Sequence, residues 1–353
     1  MDKRIYVSGT HDLDLSKIFI DGDEILDLLF SSGYEISSNP GSKFMINFNH
    51  NAQSYKEFKR NGGISSNAIL IRLEPTAVHP IQYKKSVLQK YGLVISPGYS
   101  VEDGFSDKRV NFPYRYHKNP AIPAKKNRLL ANVIREESKI VDFEEWQSRK
   151  YLATLIAANK VSATGNNYYG VRRDLAYKSN EIGVSVFGPL WDSNLSSKIR
   201  HRIAVAFYSL KSGVLPNIFS IYGHLHRRYK MVFGPVEDKH AILKQSRFNL
   251  VIENAPETVS EKLFDALLAG TVPVYLGPKL SDFRLPNGLV IEYDGNVSKI
   301  KKLLTEISEQ EVLKLLEVGS AFIHSEEFVN DWSAENVNKE IVKIIENYVS
   351  DQL

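Results

Sequence analysis

The pattern of apolar and polar positions is clearest over residues 247–278, RFNLVIENAPETVSEKLFDALLAGTVPVYLGP. Phe248 to Ile252 is a run of β-branched and aromatic residues that predicts a buried strand. Val259, Leu263, Leu267 and Leu268 then recur at helical spacing until Gly270, which predicts a helix over 259–269. A second apolar run, Val272 to Leu276, follows at once. Strand, crossover helix and strand of this length predict a parallel βαβ unit, with Glu253, Asn254, Thr258, Glu261 and Lys262 at the carboxyl end of its first strand.

The same alternation extends in both directions. Residues 4–9, 17–22, 43–50, 68–75 and 92–98 read as strands, with helices over 23–33 and around 86–92. A proline- and aromatic-rich stretch at 99–127 interrupts the series and a helix is expected around 128–149. A second series starts at Tyr151: strands over 151–159, 181–188 and 288–295, helices over 168–178 and 196–213, and the central unit. Ser308 with Glu311 spells a capping box, and Ser333 precedes a helix whose Val337, Ile341, Ile344 and Tyr348 form one apolar stripe. Strands alternating with helices predict two Rossmann-like α/β domains, 1–148 and 149–330, and a closing helix at 331–353.

Length and composition fit that picture. The 353 residues are enough for two domains, and 43% apolar content supports sizeable cores. The 45 basic and 41 acidic residues are too evenly balanced to announce a nucleic-acid binder. Zero cysteines exclude disulfides and thiolate metal sites. The first fifteen residues carry no apolar run long enough for a signal peptide or membrane anchor. The expectation is a soluble cytoplasmic protein without an integral membrane segment, compatible with peripheral contact at an inner membrane.

The turn after Ile252 carries the candidate chemistry. The start of a helix offers unpaired N–H groups and the positive end of a dipole, and Lys262 adds a full charge, so an anionic ligand such as a nucleotide diphosphate suits it. Thr258 followed by Glu261 is equally a capping box, which would make Glu261 structural, and both readings stand at this point.

The wording of this region resembles the family 10 glycosyltransferases, the α-1,3/1,4-fucosyltransferases that use GDP-fucose. The resemblance rests on the IEN strand end, the SEK that follows, the strand ending in VPVYLGP, the YYGVRRDL helix at 168–175, and the approach GPVEDKHAILKQSRFNLVIEN at 234–254. It covers roughly 150–295 and implies a GT-B architecture, two Rossmann-like domains facing each other across a cleft with the C-terminal helix crossing back to the first. The first domain would hold a saccharide acceptor and the second GDP-fucose.

Inverting transfer needs a base for the attacking hydroxyl and positive charge on the departing diphosphate. By the resemblance, Glu74, at the end of the 68–75 strand in Leu73, Glu74, Pro75, is the candidate base. Arg172, Arg173, Lys239, Glu253, Asn254, Thr258, Glu261 and Lys262 are the candidate donor-binding residues. Arginine suits phosphate because its guanidinium donates in a fork. Thr258 stands where many family members have tyrosine. No cofactor and no metal are expected: Asp12 with Asp14 and Asp21 with Asp23 read as turn or cap residues, and His224 with His226 lack a third ligand nearby. No Gly-rich dinucleotide fingerprint, phosphate loop or Gly-x-Ser-x-Gly elbow is present. The alternative is a non-catalytic carbohydrate- or nucleotide-binding protein on the same scaffold.

Overall fold

The structure is a computed structural model and describes residues 3–9, 20–98, 108–119, 128–191, 195–211, 213–222 and 227–352. The chain forms two compact units, Met1–Pro113 with Asn330–Leu353, and Tyr114–Val329.

The first unit is built on a six-stranded, wholly parallel sheet. Its strands are β1 (Arg4–Ser8), β2 (Glu35–Ser37), β3 (Phe44–Phe48), β4 (Ala68–Ile71), β5 (Leu93–Pro97) and β6 (Lys108–Val110), in the order β2-β1-β3-β4-β5-β6. All residues of β3 and β4 are buried, as a parallel sheet covered on both faces requires. The period of two divides them between two cores. Ile5, Val7, Phe44, Ile46, Phe48, Ile69 and Ile71 pack on one face. Tyr6, Met45, Ala68 and Leu70 meet Tyr55, Phe58 and Tyr91 on the other.

Two helices close the first face. Helix α1 (Ile20–Ser31) inserts Ile25, Leu26 and Leu29. The C-terminal helix Ala334–Asp351 inserts Val337, Ile341, Val342, Ile345 and Val349, with Ile344 and Tyr348 partly buried beside them. The expected stripe is thus core, and Ser333 caps the helix by accepting from Asn336 N. One predicted strand does not form as such. Ile20 to Gly22 are the first turn of α1, and 17–19 lie outside the described residues.

The second unit carries a five-stranded parallel sheet: β7 (Tyr151–Ile156), β8 (Val184–Phe187), β9 (Ser246–Ile252), β10 (Val272–Leu276) and β11 (Ile291–Glu292), ordered β11-β10-β9-β7-β8. Helix α2 (Tyr169–Tyr177) buries Leu175 and Ala176 against Ala153, Leu155, Val184, Phe248 and Leu250. Helices α3 (Leu195–Lys211), α4 (Ile218–Tyr222), α5 (Lys239–Leu243) and α6 (Glu261–Leu268) lie between β8 and β10 in the chain. The capping box of Ser308 with Glu311 is present on the helix Glu309–Ile323.

The units divide at Pro113/Tyr114, upstream of the expected junction near 148, because Tyr114, Trp146 and Arg149 are each tied to elements of the second unit. Tyr114 donates to Asp265 at 2.8 Å and packs on Phe264 and Phe328. Trp146 Nε1 donates to Arg247 O, and Arg149 donates to the carbonyls of Ser246, Ala269 and Gly270. The expected single helix over 128–149 is two, Leu130–Glu137 and Phe143–Ser148.

Candidate functional site

In the second unit the strand order reverses direction between β7 and β9, since β8 lies on one side of β7 and β9, β10 and β11 on the other. Neighbouring crossovers there go to opposite faces and leave a crevice at the carboxyl ends of the strands. A cavity of about 760 Å³ opens at that position. It is lined by Ile156 at the end of β7 with Ala157 and Ala158 after it, Gly188 and Pro189 after β8, and Asn254 after β9. Gly188 has φ +125°, and a Cβ there would lie 2.2 Å from Ala157 O. Only glycine permits this approach of the two loops.

Lys160, Arg172, Lys239 and Lys262 bring positive charge to the lining, and Glu237, Glu261 and Asp265 bring negative. Arg172 is buried on α2 and spans to the end of β9. Its Nε donates to Ile252 O at 3.1 Å and its Nη2 to Asn254 Oδ1 at 2.8 Å. Burial pulls its pKa below the ordinary arginine value, opposed by Tyr169, Glu253 and Glu261. Asn254 is held from both sides, because Tyr168 N donates to its carbonyl at 3.1 Å.

Glu253 is fully buried and faces the loop that leads into α6. Its oxygens accept from Ser260 N at 2.8 Å, Ser260 Oγ at 2.6 Å and Lys262 Nζ at 3.4 Å, and Lys262 Nζ donates to Ser260 Oγ at 2.7 Å. A carboxylate is tolerated in such a place only with partners of this kind. The capping box of Thr258 with Glu261 does not form. The N-cap is Ser260, whose side chain caps nothing, and Glu253 from the strand end accepts from the N-cap N–H, the bond a capping-box glutamate would otherwise make. The helix accordingly starts at Glu261 rather than at Val259. Glu261 is half-exposed on the cavity lining. Burial would raise its pKa, but Lys262 and Lys239 overcome this and hold it below the ordinary carboxylate range.

Lys239, the first residue of α5, is paired with Asp265 of α6 at 2.5 Å, both buried. Tyr114 donates to the other oxygen of Asp265, and His240 Nε2 lies 3.2 Å from it. Burial alone would raise the Asp265 pKa, yet Lys239 and His240 drive it well below the usual carboxylate value. Lys239 is raised, because Asp265 and Glu261 outweigh its own desolvation.

Of the residues expected from the sequence, the cavity lining gathers Arg172, Lys239, Asn254, Glu261 and Lys262. Glu253 and Thr258 are buried behind it, and Arg173 turns away to donate to Lys160 O at 2.8 Å. Burial lowers the Arg173 pKa to about 10. Asp265 and Lys160 were not anticipated. The one signal for Asp265 is a lone carboxylate among Leu263, Phe264, Ala266, Leu267 and Leu268.

Glu74 belongs to the first unit, just past the carboxyl end of β4. Asn49 adopts a left-handed backbone, φ 59°, and aims its side chain at the Glu74 segment. Asn49 Oδ1 accepts from Leu73 N at 2.8 Å and Glu74 N at 2.9 Å. The Glu74 carbonyl accepts from Gln82 Nε2 at 2.6 Å and Tyr83 OH at 3.0 Å. The backbone at Glu74 is therefore fixed from both sides. A buried polar chain runs alongside. Ser8 donates to Asn47, Asn47 to Tyr91 OH, and Tyr91 OH lies 2.6 Å from His50 Nδ1. Burial first, then Lys90 and His79, lowers the His50 pKa to about 3.

Among the described residues no group of three or more His, Asp and Glu is arranged to hold a metal ion. Asp12, Asp14, His224 and His226 lie outside the described residues, and Asp21 and Asp23 fall within α1. No described helix is long and apolar enough to cross a membrane.

No protein-family model and no curated protein sequence matches the chain. Solved structures do. A crystal structure of an α1,3-fucosyltransferase with GDP is similar over 98% of this chain and 90% of its own, at 15% identity and a TM-score of 0.53. Anabaena HepE in complex with UDP and glucose is similar over 98% of this chain and all of its own, at 9% identity and the same TM-score. A glycosyltransferase of Rickettsia africae ESF-5 covers 98% of both chains at 9% identity and a TM-score of 0.50. With its two parallel α/β sheets, one of six strands and one of five, the chain has the GT-B fold of these glycosyltransferases.

Proposed function

We propose that this chain is an inverting, metal-independent glycosyltransferase that moves L-fucose, or a related 6-deoxy sugar, from GDP-fucose to a saccharide hydroxyl in α-1,3 or α-1,4 linkage. The observation that carries the reading is the cavity at the β7/β9 switch point, bordered by Arg172, Lys262 and the start of α6. Its volume of about 760 Å³ lies within the range of small-molecule sites, ~300–1,000 Å³. The likeness to an α1,3-fucosyltransferase with GDP supports the donor class, alongside the IEN, SEK and YYGVRRDL motifs.

In this reading the acceptor oxygen attacks the anomeric carbon, the carbon–oxygen bond to the diphosphate breaks with its electron pair, and GDP leaves. Glu74 takes the acceptor proton. Arg172, Lys239 and Lys262 are assigned to the diphosphate, with Arg173 supporting α2 from behind. Asn254 and Glu261 are assigned to sugar or ribose hydroxyls, while Glu253 and Thr258 hold the loop in shape. Lys239 and Lys262 each face a carboxylate, and Arg172 is held through Nε and Nη2 by Ile252 O and Asn254 Oδ1, so all three cations are positioned by partners of their own.

A thermal-shift series with GDP, UDP, CMP and ADP tests the donor class, since a ligand that binds the folded state raises its apparent stability. The expected outcome is a selective response to GDP, then release of GDP when GDP-fucose and an acceptor panel are supplied. Glu74→Ala is expected to abolish release and leave the GDP shift intact. A response to UDP alone would move the donor class toward that of HepE, whose structure holds UDP and glucose. GDP binding without turnover on any acceptor, unchanged by Glu74→Ala, would favour the non-catalytic binding protein.

A further inference from the structure

Helix α3 is turned inside out. Its buried positions are Arg202 and Ser209, whereas Ile203, Phe207 and Leu210 are 54%, 70% and 55% exposed. A helix of a globular unit ordinarily buries its apolar stripe. Here the buried positions are polar instead. Ser209 Oγ donates to Val214 O at 2.6 Å, and Asn217 N donates to Ala163 O at 2.7 Å. The connection and α4, which packs on α3, add Leu215, Ile218 and Phe219, at 87%, 65% and 89% exposed. Contiguous exposure of this kind marks an interaction surface rather than scattered surface hydrophobics.

Charge identifies the partner. Residues 193–236 contain seven Lys and Arg and not one Asp or Glu. Removing those seven from the chain's 45 basic residues leaves 38 against 41 acidic ones, so this segment alone makes the protein basic. Arg200 heads the exposed stripe of Ile203, Phe207 and Leu210 at helical spacing and is itself exposed. Arg228 and Lys230 are exposed as well, on a strip joined to the start of α3 by Lys198 over the Tyr229 ring at 5.4 Å.

We propose that the α3–α4 face of the second unit docks on an anionic phospholipid bilayer. Phe207, Leu215 and Phe219 enter the headgroup–acyl boundary, while Arg200, Arg228 and Lys230 meet lipid phosphates. Neither feature suffices alone, because stable peripheral binding takes an apolar insertion together with a basic patch. The inference does not depend on what the switch-point cavity binds.

Co-sedimentation of the full chain with vesicles tests it. With equimolar phosphatidylglycerol and phosphatidylcholine, the protein is expected to pellet. On phosphatidylcholine alone, or in high salt, binding falls roughly tenfold or more, as screening of several cation–phosphate contacts predicts. Phe207→Glu with Phe219→Glu is expected to abolish pelleting. Both side chains are exposed, so an unchanged thermal midpoint verifies that the variant is folded. Three outcomes overturn the proposal: no pelleting of the wild type on the anionic vesicles, pelleting that the double variant retains, or a wild-type dimer that the double variant converts to monomer. The last would mean that a second copy covers the face. The first of these, accompanied by binding of a random-sequence oligonucleotide, would mean that the face takes nucleic acid instead.

Discussion

His50 shows what burial does to one side chain. It sits beneath the carboxyl ends of β3 and β4, 2.6 Å from the Tyr91 hydroxyl, and its pKa falls from 6.5 to about 3. Between those values the unfolded chain binds a proton that the folded chain does not, so stability rises with pH across the window and is lost as pH falls below 6.5. At ~1.4 kcal/mol per pH unit, His50 costs the fold about 2 kcal/mol between pH 6.5 and 5. Denaturant unfolding at the two pH values should show that loss in the wild type and a loss smaller by about this amount in His50→Gln. Parallel curves would mean that His50 is already charged in the fold. None of this is legible from KFMINFNH, which predicts the strand but not Tyr91, 41 positions on, as the partner. Glu253 and Asp265 teach the same point. Their types and their places at a strand end and on an apolar helix can be read. That one closes a loop onto Ser260 and the other neutralises Lys239 depends on which chain segments the fold brings together.

Elements were legible in proportion to their burial. β3, β4, β7, β9 and β10 are runs of apolar residues and stand where the pattern puts them. β2 and β6 have three residues each and are mostly half-exposed or exposed, so they carry no alternation to read. Ile18, Phe19 and Ile20 are a consecutive apolar run too short to separate a strand from the start of α1. Between elements, close approach demands particular residues that no pattern announces. Gly92, at the entry to β5, is such a residue. A Cβ there would meet Tyr348 Oη of the C-terminal helix at 2.1 Å and Ser66 O at 2.6 Å, and Tyr348 itself donates to Ser66 O. Because Ser66 contributes backbone atoms, the side chain of Tyr348 alone cannot relieve the clash. Gly92→Ala is therefore expected to destabilise the first unit by ~1–3 kcal/mol, the usual cost of overpacking. Tyr348→Phe loses only the hydrogen bond, about 1 kcal/mol. Thermal unfolding of the two variants checks the order; Gly92→Ala no worse than Tyr348→Phe would show that the backbone yields there.

At the scale of the molecule, alternating strands and helices make two parallel sheets readable, while the division between units is not, because the bonds of Tyr114 to Asp265 and of Arg149 to Gly270 O join segments 151 and 121 positions apart. The closing helix is the converse case, remote in sequence yet plainly amphipathic. It completes the first unit by burying Val337, Ile341, Val342, Ile345 and Val349 against β1, β3 and β4. At ~1.5–3 kcal/mol for each aliphatic side chain, this contribution is about 10 kcal/mol, comparable with the whole stability of a typical domain. Removing residues 334–353 should thus leave the first unit unfolded, although its six strands remain in the chain. The second unit keeps its core, whose described residues include none from the final helix. Calorimetry of the truncated protein is expected to retain the unfolding heat of 114–329 and to lose that of the remainder. Any selective GDP response should persist, because the cavity lining lies wholly within 119–265. An undiminished unfolding heat would show that the sheet of the first unit stands without its last helix.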